Sequence, residues 1–194
     1  LGLRDTRSRR RPPASGVARS WTAAELSEFL TAARGQRLYP ALHLAAHTGM
    51  RRGEIAGLQW ADVDWQKSTI RVQRTLLSRG REPEYGLPKT KAGVRTIDLS
   101  AETMTLLKAH RQHQAELKMR NRATYQDHGL GFAKTWGDLH GRADSLGCPL
   151  AVHNLGGREM AKVVKAAGVR RIKFHGLRHT SATLMLSAGV PPHV

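Results

Sequence analysis

The hydrophobic period of this chain changes once and then changes back. From Trp21 to about residue 65 the apolar residues recur three and four apart, between Ser68 and Leu99 they alternate, and after Ser100 the helical spacing returns. A spacing near 3.6 lines one side of a helix, whereas a spacing of two lines one face of a strand. The pattern therefore predicts an α+β fold, mainly α-helical, with one small sheet in its first half. Three alternating segments, Ser68–Val72, Glu84–Leu87 and Val94–Leu99, read as a three-stranded antiparallel sheet. Pro88-Lys89-Thr90-Lys91-Ala92-Gly93 reads as its basic hairpin tip.

The helices are bounded by local signals. Thr22 with Glu25 is a capping box that starts a stripe of Leu26, Phe29, Leu30 and Ala33, stopped by Gly35. A second helix opens near Pro40, buries Leu42, Leu44, Ala45 and Ala46, and closes at Gly49. A short third passes through Ile55, Ala56 and Leu58, with Trp60, Asp62, Asp64 and Trp65 as its exit turn. Ser100 caps a long helix through Met104, Leu106 and Leu107 toward Leu117. Residues 120–152 are glycine-rich and aperiodic, and read as an irregular loop or insertion. Asn154 then caps a helix with Met160, Val163, Val164 and Ala167 inside and Gly168 at its end. The last helix, 175–188, is anchored by Ala182, Leu184, Met185, Leu186 and Ala188 and ends at Gly189.

Charge narrows the partner. The net charge is +17, from 32 Lys and Arg against 15 Asp and Glu. A magnitude of about 2 to 8 keeps a small domain soluble, so the surplus points to a polyanion, most simply nucleic acid. Residues 1–19 carry Arg4, Arg7, Arg9, Arg10, Arg11 and Arg19 against Asp5, interrupted by Pro12 and Pro13. They read as an extended basic linker able to lie along a phosphate backbone, and 20–194 as one domain. The single cysteine, Cys148, excludes an internal disulfide and fits a reducing compartment. No apolar run has the length of a membrane span, and no signal-peptide pattern is visible.

Two stretches carry chemistry. His175-Gly176-Leu177-Arg178-His179 sets two imidazoles and a guanidinium on or near one face at a helix start. That cationic, proton-exchanging head suits an anion, above all a phosphodiester. A His pair four apart is also a zinc spacing, but Gly176 stands where the H-E-x-x-H helix carries glutamate and no third ligand is obvious, so no metal is expected. Thr48-Gly49-Met50-Arg51 projects an arginine just after a helix-ending glycine, and Glu54 is placed to hold its guanidinium.

These stretches resemble the boxes of the tyrosine recombinases, the phage integrase family. Thr48-Gly49-Met50-Arg51 with Glu54, followed by Gly57-Leu58-Gln59-Trp60-Ala61-Asp62-Val63-Asp64, looks like the first arginine box. His175-Gly176-Leu177-Arg178-His179 looks like the H-x-L-R-H box, and Lys89-Thr90-Lys91-Ala92-Gly93-Val94-Arg95 like the β-hairpin lysine. The resemblance covers about residues 20–194 apart from 120–152, and the basic 1–19 resembles the linker between the family's core-binding and catalytic domains.

The resemblance implies a catalytic domain that cuts a DNA strand through a 3′-phosphotyrosyl intermediate and rejoins it, as in integration of mobile elements. It implies that Arg51 and Arg178 grip the non-bridging oxygens of the phosphorane. Lys91, ahead of Lys89, matches the general acid and His175 the acid–base imidazole. Glu54 and His179 are supporting residues. Arg9, Arg10, Arg11, Lys89, Arg95 and Lys173 are expected along the DNA backbone. No cofactor is expected, because the side chains supply the positive charge. The implied partners are double-stranded DNA and further copies of the protein on it, in the bacterial cytoplasm at the nucleoid.

The family also needs a His or Trp about 23 residues, and the nucleophilic tyrosine about 32 residues, after the second-box arginine. Both positions fall past Val194, and Tyr39, Tyr85 and Tyr125 match no nucleophile position. The expectation is a catalytic domain truncated before its nucleophile, which binds DNA and activates the scissile phosphate but is inactive alone. The alternative is a non-catalytic DNA-binding integrase remnant. In the family later helices cover the core, so the last helix here is expected to leave apolar surface exposed.

Overall fold

In the computed structural model, which describes residues 20–77, 81–87, 93–135 and 145–189, the first helix starts as its sequence signals. Helix α1 (Ala23–Ala33) is capped reciprocally: Thr22 accepts from the Glu25 N–H at 3.2 Å, and Glu25 accepts from the Thr22 N–H at 2.8 Å. Helix α2 (Tyr39–Thr48) carries Pro40 in its first turn and closes on Gly49. Seven of its ten residues are buried, so it forms the centre of the helical core. It packs against α1, the short α3 (Arg52–Ala56), α4 (Ala101–Arg120) and α7 (Phe174–Ser187).

Among the described residues between α3 and α4 lie a 3-10 turn (Trp60–Asp62) and five short strands: β1 (Val63–Asp64), β2 (Thr69–Val72), β3 (Thr75–Leu76), β4 (Tyr85–Gly86) and β5 (Arg95–Asp98). The three-stranded antiparallel sheet has the order β1-β2-β5, with Val63 opposite Ile70, and Ile70 opposite Ile97. Its membership differs from the sequence expectation. Tyr85–Gly86 pairs with Thr75–Leu76 in a separate two-stranded ribbon, and the third strand is Val63–Asp64, expected as part of a turn. Strand pairing is set by contacts distant in sequence, and a two-residue strand is too short to show an alternating pattern. The hairpin tip 88–92 lies outside the described residues.

Ser100 caps α4, accepting from the Thr103 N–H at 3.2 Å. Of the segment that follows, the described residues 121–135 and 145–151 have little regular structure but pack against the domain. Leu130, Phe132, Leu146, Cys148 and Leu150 are buried. Backbone bonds tie Trp60 N–H to Gly129 O at 2.9 Å and Gly131 N–H to Leu58 O at 2.7 Å. Gln114 on α4 accepts from Trp60 Nε1 at 2.6 Å and donates to Leu130 O at 3.1 Å.

Asn154 does not cap the next helix. It lies inside the four-residue α5 (Val152–Leu155), and α6 (Arg158–Ala166) starts after Gly157 with no side-chain cap. The anchoring of α7 also differs from expectation. Its buried residues are Phe174, Gly176, Leu177, Thr180 and Ser181, in the first two turns. Ala182, Leu184 and Met185 are half-buried, Ala188 is exposed, and Leu186 is 63% exposed. The expected exposure of apolar surface on this helix is thus present. Among the described residues no helix is long and apolar enough to cross a membrane, and no group of three metal-ligating side chains is found.

Candidate functional site

Gly49 positions the site. It ends α2 in the left-handed region, at φ 62°, where a side chain adds strain. Its carbonyl accepts from Arg178 Nη1 at 2.6 Å, fixing that guanidinium against the partly negative C-terminus of α2. A Cβ on Gly49 would stand at ordinary contact distances, 3.4 Å from Ser181 Oγ and 3.7 Å from Arg178 Cγ, so the positive φ and not crowding by α7 favours glycine there.

Two residues on, Arg51 occupies the N-cap position of α3. Its N–H donates to Glu54 Oε2 at 2.8 Å and its Nη1 to Oε1 at 2.9 Å. From β5, Arg95 grips the same carboxylate with both ends of its fork, Nη1 to Oε1 at 3.2 Å and Nη2 to Oε2 at 2.9 Å. Glu54 is 4% exposed and the Arg95 side chain 9%, whereas the Arg51 side chain is 55% exposed. Burial pushes the Glu54 carboxyl up, but hydrogen bonds from Arg95 and Arg51 outweigh it and hold the pKa below the usual carboxylate range.

Arg178 belongs to the same cluster. Burial, and then the charges of Arg51 and Arg95, push its pKa down, and Glu54 partly offsets them. An arginine begins so high that it stays charged throughout. His175 lies beside it on α7, its ring edge-on to His179 with centroids 4.7 Å apart. Burial, and then the charges of His179, Arg178, Arg51 and Arg52, lower the His175 pKa, which favours the neutral imidazole that can accept a proton.

Three guanidiniums therefore converge from α3, β5 and α7, and among the described residues Glu54 is the one carboxylate that bonds any of them. The balance leaves positive charge in a partly desolvated site, with Arg51 reaching toward solvent. That is an arrangement for an oxyanion such as a phosphodiester.

The structure brings together Arg51, Glu54, His175, Arg178 and His179 from the sequence reading. Lys173, also expected on the DNA side, is exposed at the N-cap of α7. Lys89, Lys91, Arg9, Arg10 and Arg11 lie outside the described residues. Arg95, expected along a DNA backbone, instead points inward to Glu54. The signal was available: Arg95 and Ile97 share strand parity, and Ile97 is buried. Thr180 was also missed. Its Oγ1 accepts from the Trp21 N–H at 2.8 Å and donates to Gly176 O at 2.9 Å, tying the start of the domain to α7. The tyrosines are engaged elsewhere. The Tyr85 hydroxyl accepts from Gln59 Nε2 at 3.1 Å, Tyr39 packs edge-on to His43, and burial raises the Tyr125 phenol pKa.

Comparison with known proteins gives the family and the fold. Residues 19–194 match the sequence model of the phage integrase family. A XerC-like tyrosine recombinase of Caldanaerobacter subterraneus subsp. tengcongensis is 34% identical over 177 residues, covering 86% of this chain and 43% of that protein. Prophage integrase IntR of Escherichia coli K12 is 33% identical over 155 residues, covering 76% and 36%. The chain thus spans less than half the length of these curated relatives. Among solved structures, the Tn1549 transposon integrase in complex with a circular intermediate DNA aligns with a TM-score of 0.67 at 23% identity, covering 93% of this chain and 56% of that one. The lambda integrase catalytic core aligns at 0.53 with 19% identity, covering 87% and 84%. At these identities the structural matches speak for the fold, a mainly helical domain with a small antiparallel sheet. By the match across residues 19–194, the chain belongs to the phage integrase family.

Proposed function

We propose that this chain serves site-specific DNA recombination, as the phosphate-activating part of a tyrosine recombinase of a bacterial mobile element. The observation that carries the reading is the buried Glu54 carboxylate held by Arg51 and Arg95, with Arg178 and His175 beside this pair. Arg51 and Arg178 hold the non-bridging oxygens of the scissile phosphate and stabilise the phosphorane as charge builds. A tyrosine oxygen attacks phosphorus, the bond to the 5′-oxygen breaks, and Lys91 gives that oxygen its proton. His175 exchanges protons with the attacking and bridging oxygens. Reversal by a 5′-hydroxyl of the partner strand rejoins the DNA. The cationic side chains supply the charge stabilisation, so the reaction as proposed uses no metal or cofactor. The partner is double-stranded DNA, on which the whole protein assembles as several copies, at the bacterial nucleoid.

None of Tyr39, Tyr85 and Tyr125 is the nucleophile in this reading, so these residues bind and activate the phosphate but do not form the covalent intermediate themselves. The test is a nicked duplex carrying the recombination site, resolved on a denaturing gel. The 194-residue chain is expected to bind the duplex and leave no adduct, and the same chain joined to a tyrosine-bearing C-terminal segment is expected to give one. In that longer protein Arg178→Ala abolishes the adduct while much of the duplex binding remains. An adduct formed by the 194 residues alone overturns the assignment of the tyrosine, and an absence of duplex binding overturns the reading as a whole.

A further inference from the structure

The short helix α5 ends on Gly156, a glycine that its backbone angles do not explain. Its φ of −111° and ψ of 7° are open to any residue. What calls for glycine is a neighbour. A Cβ on Gly156 would stand 2.7 Å from the Cβ of Phe174, the first residue of α7, closer than two such carbons pack. Against the same position lies Arg52, whose Cδ and Nη1 would be 3.5 and 3.4 Å from that Cβ. Gly156 therefore meets one residue from each half of the cluster's framework. Arg52 follows Arg51 on α3, and Phe174 precedes His175 on α7.

The two sides of the close contact differ in stiffness. The α5–α6 turn is held by Leu155 and Met160, both buried. Residues 169–173, which lead into α7, have no regular structure, and Lys173 caps that helix without a side-chain bond. Added bulk at Gly156 therefore displaces the start of α7 rather than the turn. Further along α7, the Gly49 carbonyl fixes Arg178 at 2.6 Å, and Thr180 accepts from the Trp21 N–H at 2.8 Å. His175 adjoins Phe174 and precedes both of these anchors, so it takes the displacement.

We infer that Gly156 is a positioning residue for His175: by carrying no side chain, it lets α7 begin where the imidazole reaches the phosphate held by Arg51 and Arg178. The inference rests on the recombinase reading above and adds to it a residue that acts only through α7.

The test is Gly156→Ala, read in two ways. The Phe174 Cβ must recede by about 0.3 Å to stand at 3.0 Å, and by about 0.7 Å to stand at the 3.4 Å of ordinary contact. A misplacement of about 1 Å costs roughly 100-fold in rate, so the longer, tyrosine-bearing protein is expected to form its adduct on the nicked duplex about tenfold more slowly. Its duplex affinity is expected to stay within about twofold, because Arg51 and Arg178 keep their places. The second reading is an NMR titration of the His175 ring in the 194-residue chain, its signal identified with His175→Gln. Displacement carries the ring away from the charges of Arg51 and Arg52, so it is expected to titrate higher than in the wild type. Two further variants separate positioning from stability. Gln114→Leu loses hydrogen bonds on α4, outside the cluster, and is expected to keep both the adduct rate and the His175 titration. Phe174→Leu keeps the Cβ that meets Gly156, and is expected to keep the titration even where it loses stability. A folded Gly156→Ala with the wild-type rate and titration overturns the inference. So does an equal slowing in Gln114→Leu, which traces the effect to stability alone. Whether or not Gly156→Ala folds, a shifted His175 titration in Phe174→Leu overturns it, because the ring and not the close approach then places the histidine. An absence of adduct from the longer wild-type protein overturns the recombinase reading, and the inference with it.

Discussion

Replacing Arg95 tests the site through its most buried ion pair. Arg95 and Glu54 are 9% and 4% exposed, so neither charge is well solvated if the other is removed. Removing one partner of a buried pair typically costs about 3 to 5 kcal/mol. In Arg95→Met, Glu54 keeps its two bonds from Arg51, but that side chain is 55% exposed and compensates weakly, so the expected loss is about 3 kcal/mol. Glu54→Leu leaves Arg95 buried without a counter-charge beside Arg51 and Arg178, and is also expected to cost about 3 kcal/mol. Removing both charges together removes the uncompensated group. The double variant is therefore expected to lose less than about 2 kcal/mol, where simple addition gives about 6. Denaturant unfolding at pH 7, followed through the buried Trp21, measures all three. A second signature comes from pH. In the wild type the Glu54 pKa is depressed in the folded state, so its stabilisation is full above the unfolded value and is lost as pH falls through the folded one. In Arg95→Met that contribution is already missing, so the gap between the two proteins narrows as pH falls through the carboxylate range. A double variant as unstable as the sum of the singles, with a gap independent of pH, refutes the pairing as the source of the stability.

Three further outcomes follow from the packing around the site. Gly57→Ala places a Cβ 2.9 Å from the Leu76 backbone nitrogen and 3.1 Å from the Gly53 carbonyl, so α3 must move off β3; the expected loss is about 1 to 3 kcal/mol, measured by thermal or denaturant unfolding. Gln114→Leu leaves the Trp60 indole N–H and the Leu130 carbonyl unpartnered, and is expected to destabilise by about 1 to 3 kcal/mol with a shift in tryptophan fluorescence. Burial and the nearby His47 charge lower the pKa of His43 to about 4, and the unfolded chain takes up that proton near pH 6.5. Stability is therefore expected to fall by about 3 kcal/mol as pH drops from about 6.5 to 4, and a His43→Gln variant that keeps this slope refutes the assignment.

What was legible in the sequence was what is determined locally. The Thr22–Glu25 box, Pro40 in a first turn, the Ser100 cap and Gly49 and Gly168 at helix ends each act over three or four residues, and each stands where the sequence places it. Strand partners were not legible, because β4 finds β3 rather than the main sheet through contacts that no short window contains. Asn154 misled for a related reason: it is a good N-cap residue that lies inside a four-residue helix, while the next helix begins without a side-chain cap. That Arg51, Glu54, His175, Arg178 and His179 come together was legible from the family's boxes, because the resemblance places them in one pocket. The role of Arg95 was hidden by its charge, which suggested a surface, although its strand parity pointed inward.

The placement of α7 explains why the site survives one of these misreadings. Phe174, Leu177 and Ser181 are buried at spacings of three and four, which makes one face of the first two turns the anchor. His175 and Arg178 each follow an anchoring residue by one position, so they sit at the edge of that face, where a side chain is positioned by the core yet opens to solvent. Thr180 fixes the same turns to Trp21, and the Gly49 carbonyl fixes Arg178 directly. The later turns, where Leu186 is 63% exposed, add little to this anchoring. The geometry of the arginine–histidine cluster thus depends on the first half of α7, the end of α2 and the Glu54 carboxylate. A substitution at Leu186 is accordingly expected to leave the site in place, whereas one at Leu177 displaces His175 and Arg178 together.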